Sequence, residues 1–218
     1  MESFYKKDGV YRAPALDQFP WLGHGFGTRH STPPEKAAIL KQVHSSKVVH
    51  AEGRTGDAGE ADALIDNSAG SVLAIKTADC VPILLVDPEH RAIAAVHAGW
   101  RGTAGKIVDE TIRQMKRRFD TNPGGLHAAI GPGIGECCFE VGPDVALELI
   151  GKRERAHVDL AGINWNQLSK AGLNQTRIYS AGMCTVCLAD EFFSYRRERE
   201  QAGRMISYVQ ICHPAALG

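Results

Sequence analysis

The chain has 218 residues, of which 44% are apolar and 23% are charged, a composition typical of a folded globular domain and too apolar for a disordered one. Its 25 basic and 25 acidic residues cancel, so it lacks the basic excess typical of nucleic-acid-binding proteins. The longest apolar run, residues 81–86, is far shorter than the ~20 residues of a membrane-spanning helix, and residues 1–8 lack the apolar core of an export signal. We therefore expect a single domain over residues 1–218, in the cytoplasm and without a nucleic-acid or membrane partner.

Hydrophobic periodicity predicts strands that alternate with helices along the chain. Strands are expected at residues 42–49, 71–76, 81–87, 91–97, 126–130, 177–180 and 205–211, and a polar surface loop at residues 51–67. Helices are expected at residues 108–119, 143–151 and 163–171. The first helix is the clearest, because Thr103 can cap its start and an apolar stripe follows one helical face. The stripe consists of Val108, Ile112, Met115 and Phe119.

Three residues of metal-binding type lie at the edges of predicted strands: His44, Cys80 and His97. Because Gly99 follows His97 so closely, the chain can turn there, and we expect that imidazole at a rim of the fold. Two imidazoles and one thiolate form an accepted ligand set for zinc, with a fourth position open for water or substrate. From the residues alone, a buried cysteine and two hydrogen-bonded histidines remain the alternative.

Two charged residues are candidates for catalytic roles beside such a site. Arg101 lies between Gly99 and Gly102, where its guanidinium can hold a phosphate or a carboxylate. Asp62 precedes an apolar pair and can orient a ligand histidine or contact substrate. The alternatives are an ordinary turn salt bridge for Arg101 and a turn-capping role for Asp62.

Two further segments are candidates for substrate binding. The glycine-rich segment 130–135 can direct the backbone N–H groups around Gly131 and Gly133 at an anion, or it can form a plain tight turn. The charged run 196–200 is interpreted as a solvated face, or as the source of one arginine, Arg197, that grips an anion.

The remaining cysteine motifs give weaker signals. Cys184 and Cys187 form a C-x-x-C pair without a second such pair, so two half-buried thiols are favoured over a metal or redox role. Cys137 and Cys138 are adjacent, and on a strand their side chains would point to opposite faces. They are therefore expected to be poor joint ligands.

Several segments together resemble one protein family, from about His24 to about Ile206. The matching blocks are residues 41–44 (KQVH), 77–84 (TADCVPIL), 95–102 (AVHAGWRG), 130–132 with 137–142 (IGP and CCFEVG), and 192–197 with 203–205 (FFSYRR and GRM). The family is named for polyphenol oxidase, or multicopper laccase-domain proteins. It is better described as zinc-dependent purine nucleoside phosphorylase, and it includes the bacterial peptidoglycan editing factor.

The resemblance implies that His44, Cys80 and His97 bind one zinc ion. It also implies an α+β fold, a layered α/β/β/α sandwich with mixed sheets, similar to the catalytic domain of cytotoxic necrotizing toxins. The implied activities are phosphorolysis of adenosine, inosine and methylthioadenosine, with deamination of adenosine, so the partners are a nucleoside and phosphate. The sequence departs from the family at Ser45, where many members have Gly, and at Gly133, where some have Cys or Ala.

Rival functions remain open at the level of sequence. A thiolate with two imidazoles also suits copper, but nine histidines with no H-x-H pair are few for a multicopper oxidase. Cys80 and His97 can also act as nucleophile and base of a hydrolase that edits peptidoglycan precursors. The P-C-x-x-C motif of zinc deaminases is absent, so deamination would need a different arrangement. A non-enzymatic partner-binding role is not supported by any motif.

Overall fold

A computed structural model describes residues 3–212. The strands are β1 Tyr5–Lys7, β2 Val10–Arg12, β3 Leu22–Gly27, β4 Ala38–Lys41, β5 Val48–His50, β6 Gly56–Glu60, β7 Ala63–Asp66, β8 Val72–Thr77, β9 Val81–Asp87, β10 Ala92–Ala98, β11 His127–Ile130, β12 Glu140–Val141, β13 Ala156–His157, β14 Ile178–Ser180 and β15 Met205–Ile211. The α-helices are α1 Trp100–Ala104, α2 Ile107–Phe119, α3 Pro143–Ile150, α4 Leu160–Lys170 and α5 Tyr195–Glu198. Within the described range, no helix combines the length and apolar character needed to cross a membrane.

The strands form two large sheets of mixed direction. One has seven strands in the order β1-β2-β3-β15-β8-β4-β6, and the other has six in the order β14-β11-β9-β10-β7-β5. Most neighbours are antiparallel, whereas β4 runs parallel to β6 and β8, β5 to β7, and β11 to β14. The expected α+β class with mixed sheets is confirmed.

The two sheets pack face to face, and helices cover the outer face of the six-stranded sheet. Strands β9 and β10 are buried at every position, because one face packs in the core on the helix side and the other meets the seven-stranded sheet. The helix-facing core includes Ile83, Leu85, Ala94, Val96, Ile107 and Met115. The core between the sheets includes Phe26, Leu73, Ile75, Leu84, Val86, Ile93 and Val209.

The N-terminal cap predicted at Thr103 is wrong, although the observed helix α2 begins within one residue of the predicted start. Lys106 precedes the first residue of α2, while Thr103 belongs to the separate helix α1 and accepts a hydrogen bond from Asn164 at 2.9 Å. The apolar stripe is confirmed, because its four residues are all buried on one face of α2. The kink between α1 and α2 explains the difference, since Lys106 takes a left-handed φ of 57° that no α-helix interior allows.

Two segments have a structure different from the predicted one, and the first of them carries a residue of the candidate metal site. Residues 42–47, predicted as strand, form a loop in which His44 has a φ of 57°, and the predicted surface loop 51–67 contains β6 and the fully buried β7. The loop 42–47 passes from β4 in one sheet to β5 in the other. Residues 78–80 make the same crossing from β8 to β9.

Candidate metal centre

His44, Cys80 and His97 converge at the place where the chain crosses between the sheets. Each offers one ligand atom, and the three atoms all lie within 4.8 Å of one another. His44 lies on the first crossing loop, and Cys80 on the second. His97 lies near the end of β10, paired in register with Pro82, so it comes to the beginning of β9 where Cys80 lies.

The backbone at both crossings is strained, and buried hydrogen bonds hold it. His44 and Asp79 have φ values of 57° and 84°, a region that costs a residue with a side chain about 1–3 kcal/mol. The carboxylate of Asp62 accepts the backbone N–H of His44 at 3.0 Å and that of Ser45 at 2.6 Å. Ser45, the departure from the family pattern, also donates its hydroxyl to Asp62 at 2.8 Å. Asp62 therefore fixes the loop that presents His44.

Asp62 also fixes the ring of His97. Its Oδ1 lies 2.8 Å from Nδ1 of His97, and both side chains are buried, at 0% and 4% exposure. The expectation that His97 lies at a rim is wrong, because β10 is covered on both faces up to its last residues. With Nδ1 donating to a carboxylate, Nε2 is the nitrogen left with a lone pair for a ligand. This geometry makes Asp62 a positioning residue.

Asp62, Cys80 and His97 shift one another's ionisation. Burial works against ionisation of Asp62, yet hydrogen bonds from His97 and Ser45 lower its pKa to about 2. Burial likewise opposes the Cys80 thiolate, but the neighbouring imidazoles of His44 and His97 lower its pKa to about 7. Burial disfavours the cationic form of His97, whereas Asp62 and Cys80 raise its pKa to about 9. The surroundings thus favour a thiolate, which is the form that binds metal.

The arrangement fits a single thiophilic divalent ion such as zinc. Three ligand atoms of suitable type converge, and three protein ligands leave one tetrahedral position for another group. The space beside them is kept by Gly99, where an added Cβ would lie 2.9 Å from Sγ of Cys80 and 3.3 Å from Cδ2 of His44. The carboxylate–histidine pair at Asp62 and His97 is the support that metal-binding imidazoles usually have.

The cluster lines a cationic cavity of about 810 Å³. Its acidic lining residues are Asp79 and Glu140, and its basic ones are Lys41, Lys76, Arg101, Arg196, Arg199 and Arg204. Among the ion pairs formed within residues 3–212, none uses Arg101, Arg199 or Arg204. The structure thus brings Arg101 to the cluster as expected, with its guanidinium 4.3 Å from the Trp100 ring centroid.

Arg197, expected to bind substrate, does not line this cavity. Its guanidinium donates to the carbonyls of Thr185, Val186 and Phe192 and pairs with Glu198, so its role is to hold the backbone. Sequence reasoning missed the cavity-lining arginines from the same part of the chain, Arg196, Arg199 and Arg204. The charged run 196–200 was a signal for two of them, but residue type alone does not say which side chain faces the cavity.

Gly131 and Gly133 do not reach the cluster cavity either; they line a separate one. A Cβ at Gly131 would clash with the ring of Phe26, and one at Gly133 would lie 2.9 Å from Cγ2 of Val81. Close packing against the sheets therefore explains both glycines. The phosphate-binding role expected for them has no support in their position.

Comparison with known proteins gives consistent matches. A purine nucleoside phosphorylase of Deinococcus radiodurans is 42% identical over 183 residues, covering 80% of this chain and 70% of that protein. The purine nucleoside phosphorylase YfiH of Escherichia coli is 33% identical, covering 82% and 75%. The crystal structure of YlmD from Geobacillus stearothermophilus superposes with a TM-score of 0.86 at 27% identity, covering 96% of this chain and 99% of that one.

The family assignment follows from sequence and fold together. The family model described as multi-copper polyphenol oxidoreductase laccase matches residues 26–212, a range that includes the His44, Cys80 and His97 cluster and the cationic cavity. The sequence resemblance is therefore confirmed. The chain belongs to the multi-copper polyphenol oxidoreductase laccase family.

Proposed function

We propose that the protein is a zinc-dependent purine nucleoside phosphorylase that acts on adenosine, inosine and methylthioadenosine, with adenosine deamination as a side activity. The observation that carries this proposal is one cavity lined both by the His44, Cys80 and His97 cluster and by guanidinium groups without an ionic partner. Relatives named purine nucleoside phosphorylase support it. Cleavage of a nucleoside by phosphate needs a bound phosphate and an electrophile or acid for the leaving base, and an anion site next to a metal site can supply both.

The chemistry divides between two ends of the nucleoside. A phosphate oxygen forms a bond to C1′ of the ribose while the bond from C1′ to the purine nitrogen breaks, and the base leaves with that electron pair and takes up a proton. Positive charge develops on the ribose and negative charge on the base. Arg101, Arg199 and Arg204 bind and orient the phosphate dianion in the cavity.

The cluster residues hold the ion and set its position. His44, Cys80 and His97 supply the ligand atoms, and Asp62 holds His97 in the tautomer that presents Nε2. The chemistry supplied by bound zinc with an open position is polarisation of the base or of the attacking oxygen. In the side reaction, a water oxygen forms a bond to C6 of the purine ring, the bond from C6 to the amino nitrogen breaks, and that nitrogen takes up a proton and leaves as ammonia.

The test is adenine release from adenosine by zinc-loaded protein with and without phosphate. We expect release only with phosphate, and loss of both the activity and the zinc ion of the His44, Cys80 and His97 cluster in His97→Ala. His90→Ala is the matched control, because His90 is a solvent-facing histidine at the other end of β10 and pairs only with Asp87. A His97→Ala protein that loses the zinc ion of this cluster yet keeps phosphorolysis would refute the mechanism.

One observation also favours a second candidate, a thiol hydrolase acting on peptidoglycan precursors. The Cys80 sulfur lies within 4.8 Å of a ring nitrogen of His97, which places a thiol beside a base. A chelator separates the two candidates, because it abolishes zinc-dependent phosphorolysis and spares a thiol nucleophile. Phenol oxidation by copper-free, zinc-loaded protein would instead support the oxidase name of the family.

A further inference from the structure

A second group of metal-binding residues lies outside the cluster cavity. Cys137, Cys138, Cys184 and Cys187 each offer a sulfur, and the four sulfurs all lie within 4.8 Å of one another. The Sγ of Cys187 is 3.7 Å from that of Cys137 and 3.5 Å from that of Cys138. All four cysteines are free thiols in the structure.

The local backbone explains how adjacent cysteines come to share one centre. Cys137 and Cys138 lie on a turn, and not on the strand assumed from the sequence, so their side chains are not forced to opposite faces. The turn is closed by the backbone N–H of Cys138, which donates to the carbonyl of Gly135 at 3.0 Å. A parallel bridge between Gly133 and Cys184 brings this turn beside the C-x-x-C turn.

The surroundings of the sulfurs suit a bound cation. The backbone N–H of Gly135 donates to Sγ of Cys184 at 3.2 Å, a contact that stabilises a thiolate. A Cβ at Gly135 would lie 3.3 Å from Sγ of Cys137 and 3.4 Å from Sγ of Cys184, so the absence of a side chain leaves room there. Four thiolates at this spacing repel one another unless a cation lies between them.

We propose that Cys137, Cys138, Cys184 and Cys187 together bind one structural zinc ion in a tetrahedral site of four sulfurs. At a zinc–sulfur distance of ~2.3 Å, the edges of a regular tetrahedron are about 3.8 Å, close to the 3.5 and 3.7 Å separations seen here. An iron–sulfur cluster distributes its cysteines over several irons and spreads the sulfurs farther apart. A disulfide needs a separation of ~2.05 Å, which no pair has.

The site lies where it can hold one wall of the substrate cavity. Ile134 and Phe139, which flank the Cys137–Cys138 turn, line that cavity, as does Arg196. The guanidinium of Arg196 donates to the carbonyl of Cys138 at 3.0 Å, and that of Arg197 to the carbonyl of Val186 at 2.8 Å. An ion bound by both turns therefore anchors the segment that carries the cavity-lining arginines.

The test counts zinc by elemental analysis in full-length protein produced with added Zn²⁺ and then desalted. We expect about two zinc ions per chain in the wild type and about one in Cys184→Ser. Cys212→Ser is the matched control, because Cys212 is a free thiol that belongs to neither group of metal-binding residues. This variant should keep both ions. His97→Ala should also keep one ion, the structural one, so failure of this proposal is distinguishable from failure of the proposed function.

A second measurement uses only the wild type and does not depend on a variant that folds. In zinc-loaded protein, an alkylating reagent followed by mass spectrometry should leave the four cysteines unmodified, although Cys137 and Cys187 are exposed. Chelation of zinc should make all four reactive. One zinc ion per wild-type chain with these cysteines reactive, joined in disulfides or bound to iron would overturn the proposal.

Discussion

The side chain of Asp79 accepts a hydrogen bond from the hydroxyl of Thr185 at 2.7 Å, across 106 residues of sequence. Asp79 is the residue before Cys80, which belongs to the metal cluster. Thr185 lies between Cys184 and Cys187. The other carboxylate oxygen of Asp79 accepts the backbone N–H of Arg196 at 2.6 Å. One buried carboxylate thus links the crossing loop that carries Cys80, the turn that carries Cys184 and Cys187, and the segment that carries the cavity-lining arginines.

Thr185→Val should weaken this connection at nearly constant volume. The buried Asp79 carboxylate then loses one hydrogen bond, and we expect the free energy of unfolding to fall by about 1.5–3 kcal/mol, the range for hydrogen bonds to charged groups. Urea denaturation measures the change. Thr176→Val is the control, since Thr176 is exposed and its hydroxyl bonds only to nearby Asn174. Equal stabilities of the two variants would contradict the prediction.

Asp62→Asn should weaken metal binding more than it weakens the fold. The amide is a poorer acceptor for Nδ1 of His97, and loss of such a partner typically costs 10–100-fold in metal affinity. Asp66→Asn is a close control, because Asp66 is equally buried at the other end of β7 and accepts bonds from Gly53 and Ser71. Competition with a zinc-binding dye gives both affinities, and the idea fails if the two variants bind zinc equally well.

Arg101→Ala should raise the KM for phosphate while zinc stays bound. The guanidinium lines the cavity without an ionic partner, and loss of a charge-assisted bond of about 1.5–3 kcal/mol corresponds to roughly 10–100-fold. Arg113→Ala is the control, since Arg113 lies on the exposed side of α2 and pairs with Glu110. Steady-state kinetics with zinc analysis separates the outcomes; loss of zinc in Arg101→Ala would make that residue structural.

Gly131→Ala should destabilise the protein without a specific effect on phosphate binding. The added methyl group meets the buried ring of Phe26 between the sheets, and overpacking of this kind typically costs about 1–3 kcal/mol. Gly125→Ala, with open space around its Cα, should change little. Thermal unfolding and the KM for phosphate are the two readouts. A phosphate KM that rises in Gly131→Ala at unchanged stability would restore the phosphate-binding role.

Stability should fall in mild acid because of a buried neutral histidine. Burial lowers the pKa of His24 from 6.5 to about 4, despite Asp17 nearby, and its Nε2 accepts the backbone N–H of Ala13. Between these pH values the unfolded chain binds the proton and the folded one does not, so unfolding becomes more favourable as pH falls from 6.5 towards 4. The contribution is on the order of 3 kcal/mol.

His24→Gln, which keeps an acceptor but cannot titrate, should flatten this dependence. Unfolding by urea at pH 7.5, 6 and 5 measures it. His90→Gln is the comparison, because its ring is solvent-accessible and Asp87 raises its pKa, the opposite direction. If His24→Gln loses as much stability in acid as the wild type, other groups account for the acid sensitivity.

Local sequence patterns predicted the bounds of strands whose environment follows one simple pattern along their whole length. The bounds predicted for β9 and β15 are those observed, because β9 is a continuous apolar run and β15 alternates buried and half-buried residues. The loop around His44 could not be found this way. Its left-handed backbone depends on a carboxylate 18 residues away, whereas the flanking apolar residues favour a strand.

The site was predictable to the extent that residue type determines it. His44, Cys80 and His97 were identified as a trio, but only the family resemblance chose shared metal binding over separate structural roles. Residue type could not show that Arg199 lines the cavity and Arg197 does not, because the two have the same chemistry and only the path of the chain after the short helix α5 separates them.

The crossing of the chain between the sheets has a consequence for the life of the protein in the cell. An ion held by His44, Cys80 and His97 would cross-link two β-layers that otherwise meet through apolar contacts, so its binding free energy would add to that of folding. The abundance of intact protein would then follow the zinc supply.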